Sequence, residues 1–240
     1  MYGAKTYLRV GRSMVRVVAV VEGSTEQAFI QRVLAPHLST RGVQISGRII
    51  GEPGHKGGNI KLERVARDVS ILLRQETVTF VTTLIDRYGL GAGWPVIDAI
   101  GPDAQPERSL MLLCEAMRIK IREQIGAELL ATRFLPYVQF HETEAFLFVE
   151  PAVSARLMGN EARSRQLLQE SESFATPEHI NNDKTSAPSK RIQKYFPAYQ
   201  KGRGLNAHLP MICEAVGIAD IRQACPLFDG WLLQLESLSA

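Results

Sequence analysis

The stretch at residues 17–26 (VVAVVEGSTE) constrains the fold more than any other part of this chain. Its unbroken run of apolar residues predicts a strand buried on both faces, as in a parallel sheet covered by helices. Ser24 and Gln27 have the spacing of a capping box, so we predict that a helix begins at Ser24. The apolar side of that helix should carry Phe29, Ile30, Val33, Leu34 and Leu38.

Further strands are predicted at residues 42–50, 78–86 and 133–140, the last as an edge strand because Pro136 lacks a backbone donor. Helical patterns separate these strands, and the longest covers residues 107–130. The order is therefore βαβαβαβ. It predicts an α/β fold with a parallel sheet of about four strands flanked by helices.

Strand signals end near residue 150, and short amphipathic helices follow, interrupted by a predicted loop at residues 171–189. We therefore predict an N-terminal extension at residues 1–12 and an α/β core at residues 13–150. A helical C-terminal region at residues 151–240 is expected to pack on that core.

The net charge of +3 is mildly basic, which is compatible with a nucleic-acid partner but does not identify one. The three cysteines form no C-x-x-C pair, so neither a zinc site nor a disulfide framework is indicated. No apolar stretch approaches the roughly 20 residues that a membrane-spanning helix needs. We expect a cytoplasmic protein that does not associate with a membrane.

Acidic residues recur near the carboxyl ends of the predicted strands. These residues are Glu22, Glu26, Asp86, Glu142 and Glu144. In a parallel sheet those ends lie along one edge, where α/β proteins bind ligands. Carboxylates packed together repel each other unless a cation neutralises them, and hard oxygen ligands suit Mg²⁺ or Mn²⁺. The five acids are therefore predicted to bind metal, and such ions can promote phosphodiester cleavage.

Basic residues complete the predicted site. Lys190 and Arg191 are predicted to bind the scissile phosphate, and His141 can add an imidazole ligand if manganese is used. Each of these residues, taken singly, is common in a purely structural role. The recurrence of acids at equivalent strand ends is what favours a site.

Several motifs together resemble a known family. They are VEGSTEQAFIQRVLAPHL, TTLIDRYGL, LPYVQFHETEAFLF, PEHINNDKTSAPSKRI and CPLFDGWLLQLE. The first two resemble the Toprim fold of topoisomerases, primases and overcoming-lysogenization-defect nucleases. The whole set is similar to the bacterial domain of unknown function 4276 family. That family is grouped with Toprim-like proteins and is often encoded beside an ABC-type or AAA-type ATPase.

The resemblance implies roles for individual residues. Glu22 matches the Toprim glutamate that acts as metal ligand or acid–base group, and Glu26 matches a second acid of the nucleases. Asp86 matches the first aspartate of a D-x-D motif, whereas Tyr88 occupies the second position. Either one of the later glutamates supplies the missing ligand, or metal binding is weaker or lost. Lys190 corresponds by chain order to a late lysine of the nucleases.

The resemblance implies a Mg²⁺- or Mn²⁺-dependent nuclease with Glu22, Asp86 and Lys190 as catalytic residues. It would act on nucleic acid together with the ATPase, in defence against phage. The alternative is a non-catalytic Toprim-like module that binds an ATPase or nucleic acid. Phosphoryl transfer with the same acids is a third option.

Overall fold

The computed structural model describes residues 14–51, 60–75, 79–91, 93–95, 105–126, 132–180, 185–199 and 208–239. The predicted extension at residues 1–12 lies outside these ranges. None of the helices in the described ranges is both long and apolar enough to cross a membrane.

A parallel sheet forms the centre of the fold. Its strands are β1 (Val15–Val21), β2 (Val43–Ile49), β3 (Thr79–Asp86), β4 (Phe134–Leu135) and β5 (Val138–Gln139). The order across the sheet is β2-β1-β3-β4, and β5 also pairs with β3. Every one of these pairings is parallel. The predicted α/β fold is therefore confirmed.

Helices cover both faces of the sheet. They are α1 (Ser24–Phe29), α2 (Ala35–Ser39), α3 (Leu62–Gln75), α4 (Pro106–Ile125), α5 (Pro151–Leu157), α6 (Ser164–Glu172), α7 (Pro188–Tyr195), α8 (His208–Val216), α9 (Ile218–Ala224) and α10 (Pro226–Glu236). Helix α4 ends earlier than predicted, because Gly126 adopts a left-handed conformation with φ 65° that closes the helix. The predicted loop at residues 171–189 is shorter than expected, since α6 and α7 extend into its two ends.

The helix after β1 begins at Ser24 as predicted, but its N-cap differs from the expected one. Gly23, and not Ser24, is the N-cap residue, and the backbone N–H of Gly23 donates to Oε2 of Glu26 at 2.9 Å. A π-helical turn over Ile30–Leu34 separates α1 from α2. The predicted apolar side is confirmed, because all five of its side chains are buried.

The strand predicted at residues 133–140 is two short strands, β4 and β5, separated by Pro136 and Tyr137. The Thr83 side chain bridges this gap. Its hydroxyl donates to the Tyr137 carbonyl at 2.7 Å and accepts from the Tyr137 N–H at 2.9 Å. A side chain therefore supplies the hydrogen bonds that the backbone ladder lacks beside the proline.

Alternate residues of β1 enter two apolar cores. Ala19 and Val21 belong to the core shared with the C-terminal helices, and Val20 belongs to the core shared with α3 and α4. Trp231 of α10 stacks on Tyr137 with 4.6 Å between ring centroids, and its Nε1 donates to the hydroxyl of Thr82 at 2.8 Å. The C-terminal helices are thus packed directly on the sheet, and its carboxyl edge lies beside them.

Candidate functional site

Glu22 follows β1 at the carboxyl edge, where the backbone after β3 approaches it closely. A 3₁₀ turn over Arg87–Gly89 follows Asp86 and brings Gly89 against the Glu22 carboxylate. A Cβ atom at position 89 would lie 1.9 Å from Oε2 of Glu22. Glycine at position 89 is therefore needed for Glu22 to occupy this place.

Glu26 and Asp86 both contact Thr143, at the start of a 3₁₀ turn over Thr143–Phe148. The backbone N–H of Thr143 donates to Oδ1 of Asp86 at 2.9 Å, and the Thr143 hydroxyl donates to Oε1 of Glu26 at 3.3 Å. Glu26 is 4% exposed and Asp86 is 1% exposed. Thr143 therefore orients two buried carboxylates, one from helix α1 and one from the end of β3, as a prearranged site requires.

Glu142 and Glu144 make contacts with the helical part of the chain. Oε2 of Glu142 accepts from the backbone N–H of Ser189, in the first turn of α7, at 2.8 Å. Oε1 of Glu144 accepts from the Tyr199 hydroxyl at 3.1 Å. Burial and the nearby Glu144 raise the pKa of the Cys213 thiol. These contacts join the loop after β5 to the C-terminal helices.

The structure thus gathers Glu22, Glu26 and Asp86 around neighbouring loops, and gives Glu142 and Glu144 contacts elsewhere. Among the described residues, no group of three or more His, Cys, Asp or Glu side chains is arranged to hold a metal ion. Mg²⁺ keeps several waters and commonly takes only one or two carboxylates from a protein, so a smaller set drawn from Glu22, Glu26 and Asp86 would suffice to hold it. The predicted five-residue ligand set stays a prediction.

His141 is an unusual residue that lies beside this site. It is the one non-glycine residue with positive φ (66°) in the described part of the chain, and it is 7% exposed. Burial lowers the pKa of His141 to about 3, with smaller contributions from Arg87 and His179. His141 is therefore neutral near pH 7. Strained backbone of this kind clusters at functional sites.

Tyr88, at the second position of the D-x-D pattern, packs against His141 with 5.4 Å between ring centroids. Its backbone N–H donates to the His141 carbonyl at 3.3 Å. The neighbouring Arg87 is half-buried, and burial lowers the pKa of its guanidinium. Sequence reasoning missed Arg87, although its position directly after Asp86 was a signal.

Lys190 and Arg191 both lie in α7. Lys190 is exposed, and its Nζ is 3.4 Å from Oε1 of Gln193. The Arg191 guanidinium forms an ion pair with Glu170 and lies 4.9 Å above the Phe174 ring. The predicted phosphate contacts of Lys190 and Arg191 stay a prediction, and Arg191 has structural partners already.

Glu178 is a buried acid that the sequence did not single out. Its two carboxylate oxygens accept from the backbone N–H groups of Leu227 and Phe228, each at 2.9 Å, at the start of α10. Burial raises the pKa of Glu178 to about 7, and the two hydrogen bonds oppose that rise. Glu178 therefore caps a helix.

Comparison with known proteins supports one assignment. No curated protein and no solved structure matches the chain. A family described as "Domain of unknown function (DUF4276)" matches residues 21–236, which include every acid discussed above. The chain therefore belongs to the DUF4276 family.

Proposed function

We propose that this protein is a metal-dependent phosphodiesterase of the Toprim type, which hydrolyses nucleic acid and works with an ATPase partner in defence against phage. The observation that carries the proposal is the position of Glu22 and Asp86 at the carboxyl ends of adjacent parallel strands. The backbone at Gly89 leaves just enough space for the Glu22 carboxylate. Ligand sites of open α/β sheets lie at this edge.

The metal-binding part of the proposal is limited to Glu22, Glu26 and Asp86. A bound Mg²⁺ would polarise a phosphate oxygen and lower the pKa of a water nucleophile. Thr143 holds Glu26 and Asp86 in place through its hydroxyl and its backbone N–H. Because the acids are held before substrate arrives, little reorganisation is needed during the reaction.

The proposal is tested by nuclease assays with Mg²⁺ or Mn²⁺ on single- and double-stranded DNA and RNA, with the ATPase partner added in parallel. Glu22→Gln and Asp86→Asn should each lower cleavage by roughly a thousandfold or more without a large loss of stability. Glu214→Gln is a matched control, because Glu214 is an exposed acid paired with Arg32. Undiminished cleavage by the Glu22→Gln, Asp86→Asn double variant would contradict the proposal.

A second candidate function is a binding module that docks an ATPase or nucleic acid without cleaving it. The observation that favours it is Tyr88, which packs against His141 where a Toprim enzyme places a second aspartate. Calorimetry separates the two candidates. A protein that binds neither Mg²⁺ nor Mn²⁺, yet retains the ATPase in a pull-down, would support the binding module.

A further inference from the structure

Arg87 carries a positive charge that pairs with no acidic side chain in the described part of the protein. Its guanidinium makes no hydrogen bond or ion pair within the ranges that the structure describes, and its Nε is buried without a partner. It lies 5.4 Å from the Phe140 ring centroid and 6.0 Å from that of Tyr88. A half-buried guanidinium normally pairs with a carboxylate, a phosphate or a carbonyl, because unsatisfied buried donors are costly.

His141 provides an independent sign of a ligand at the same place. Its Nδ1 is buried and has no hydrogen-bond partner among the described residues. Only 7% of His141 is exposed. The left-handed backbone at His141 adds a further cost. An unsatisfied buried polar group in a native protein calls for an explanation, and a bound ion or ligand is one of them.

Arg87 and His141 are neighbours across the same two rings. The His141 ring lies 4.5 Å from the Phe140 ring and 5.4 Å from the Tyr88 ring, between centroids. These are the two rings that flank the Arg87 guanidinium. The unpartnered nitrogen atoms of Arg87 and His141 are therefore held by one aromatic frame, directly after Asp86 and directly before Glu142.

Charge also favours an anion at this place. Glu22, Glu26 and Asp86 lie near one another at the carboxyl edge and would repel a phosphate that approached them alone. A guanidinium directly after Asp86 offsets this repulsion and offers the forked geometry that suits phosphate oxygens. Arg191 is a weaker candidate, because its guanidinium is paired with Glu170 and its Nε donates to the Ser186 carbonyl at 2.9 Å.

We propose that Arg87 and His141 form a binding site for a phosphate group of the nucleic acid, beside the carboxylates of Glu22 and Asp86. This inference rests on the proposed function, since it assigns the substrate's phosphate contacts to that site. Arg87 donates from its guanidinium to the phosphate oxygens, and the imidazole of His141 donates one further hydrogen bond. Tyr88 and Phe140 hold both side chains in position.

Binding is measured in EDTA, so that cleavage does not contribute, as fluorescence anisotropy of a labelled single-stranded oligonucleotide over a range of salt concentrations. Arg87→Met should weaken binding by roughly tenfold or more. It should also reduce the slope of log K against log salt by about 0.7, the value for one lost phosphate contact on a single strand. Arg87→Lys keeps the charge, so it should weaken binding but preserve the slope.

Two further variants complete the design. His141→Gly removes the imidazole without backbone strain, because glycine adopts positive φ readily, and it should weaken binding several-fold with an unchanged salt slope. Arg122→Met is the matched control. It removes one exposed arginine from the last turn of α4, and it should change neither affinity nor slope. Inorganic phosphate should compete with the oligonucleotide on the wild type and not on Arg87→Met.

The inference is overturned if wild-type protein does not bind the oligonucleotide at low salt, or if Arg87→Met behaves like Arg122→Met. If only one of the variants Arg87→Met and His141→Gly weakens oligonucleotide binding, the two residues do not form one site. A wild-type protein that never cleaves but shows the expected binding pattern would refute the nuclease and keep the phosphate site. If the wild type cleaves nucleic acid but Arg87→Met binds the oligonucleotide as the wild type does, the phosphate site is refuted and the nuclease is kept.

Discussion

Two groups of carboxylates lie in different parts of the molecule and have different surroundings. The edge acids are Glu22, Glu26 and Asp86. The helix-bound acids are Glu142, Glu144 and Glu178. Among the edge acids, Glu26 and Asp86 both accept hydrogen bonds from Thr143, and Glu22 lies against Gly89. The helix-bound acids accept hydrogen bonds from α7, from Tyr199 and from α10.

The difference shows that a buried acid alone does not indicate a ligand site. Two of the helix-bound acids accept from N–H groups at helix starts, where a carboxylate is stabilised without any ion. The edge acids instead lie after β1, in the first turn of α1 and at the end of β3, at the edge where parallel sheets bind ligands. We therefore expect substitutions of edge acids to lower activity, and substitutions in the helix-bound region to lower stability.

The largest expected effect tests whether the helical region carries stability. Trp231 is 2% exposed and stacks on Tyr137, so Trp231→Ala should cost about 3–5 kcal/mol in the free energy of unfolding. Leu233 of the same helix is 50% exposed, and Leu233→Ala should change stability by less than about 0.5 kcal/mol. Urea titration measures both. Equal losses would show that α10 is not anchored through Trp231.

The free energy of unfolding should depend on pH through the titration of the Glu178 carboxyl group. Its pKa is raised in the folded protein from 4.5 to about 7. The stabilisation from this group is therefore fully present below pH 4.5 and is lost as pH rises through 7. Over this window the wild type should lose about 3 kcal/mol that Glu178→Gln does not lose. Parallel stability curves for the two proteins, from urea unfolding at each pH, would contradict this assignment.

The close approach at Gly89 gives a test confined to the edge acids. Gly89→Ala places a methyl group where the Glu22 carboxylate lies, so the carboxylate must move. A displacement of about 1 Å at a catalytic group can cost about a hundredfold in rate, and we expect a loss of that size in the nuclease assay. Thermal unfolding should change little. Cleavage at the wild-type rate would remove Glu22 from the site.

The smallest effect is the matched glycine control. Gly230 lies in α10, and no atom of the described residues outside its own helical turn lies within 4 Å of the position of an added Cβ. Gly230→Ala should therefore stabilise the protein by about 0.5–1 kcal/mol and leave cleavage unchanged. A destabilised variant would show that this face of α10 is closely packed in solution.

The sequence predicted the edge of the sheet well, because its signals are local. The unbroken apolar run of β1 and the acids that end β1 and β3 can be recognised in a short window of sequence. Helix α1 begins at Ser24 as predicted, but its N-cap is Gly23, which has no side chain to suggest a cap. The gap between β4 and β5 depends on the hydroxyl of Thr83, 54 residues away from Tyr137.

The hydrogen-bond partners of Glu142 and Glu144 could not be predicted from such local signals. Glu142 bonds to Ser189, 47 residues further along the chain, and Glu144 bonds to Tyr199, 55 residues further along. Neither partner belongs to a motif that includes the acid. The positive φ of His141 is equally hidden, because the residue type does not require it.

The most direct test is a calorimetric titration of Mn²⁺ into three proteins: the wild type, the Glu22→Gln, Asp86→Asn variant, and the Glu142→Gln, Glu144→Gln variant. We predict that metal binding is lost in the first double variant and kept in the second, whose melting temperature should fall instead. Metal binding that survives the loss of Glu22 and Asp86 but disappears with Glu142 and Glu144 would contradict the account.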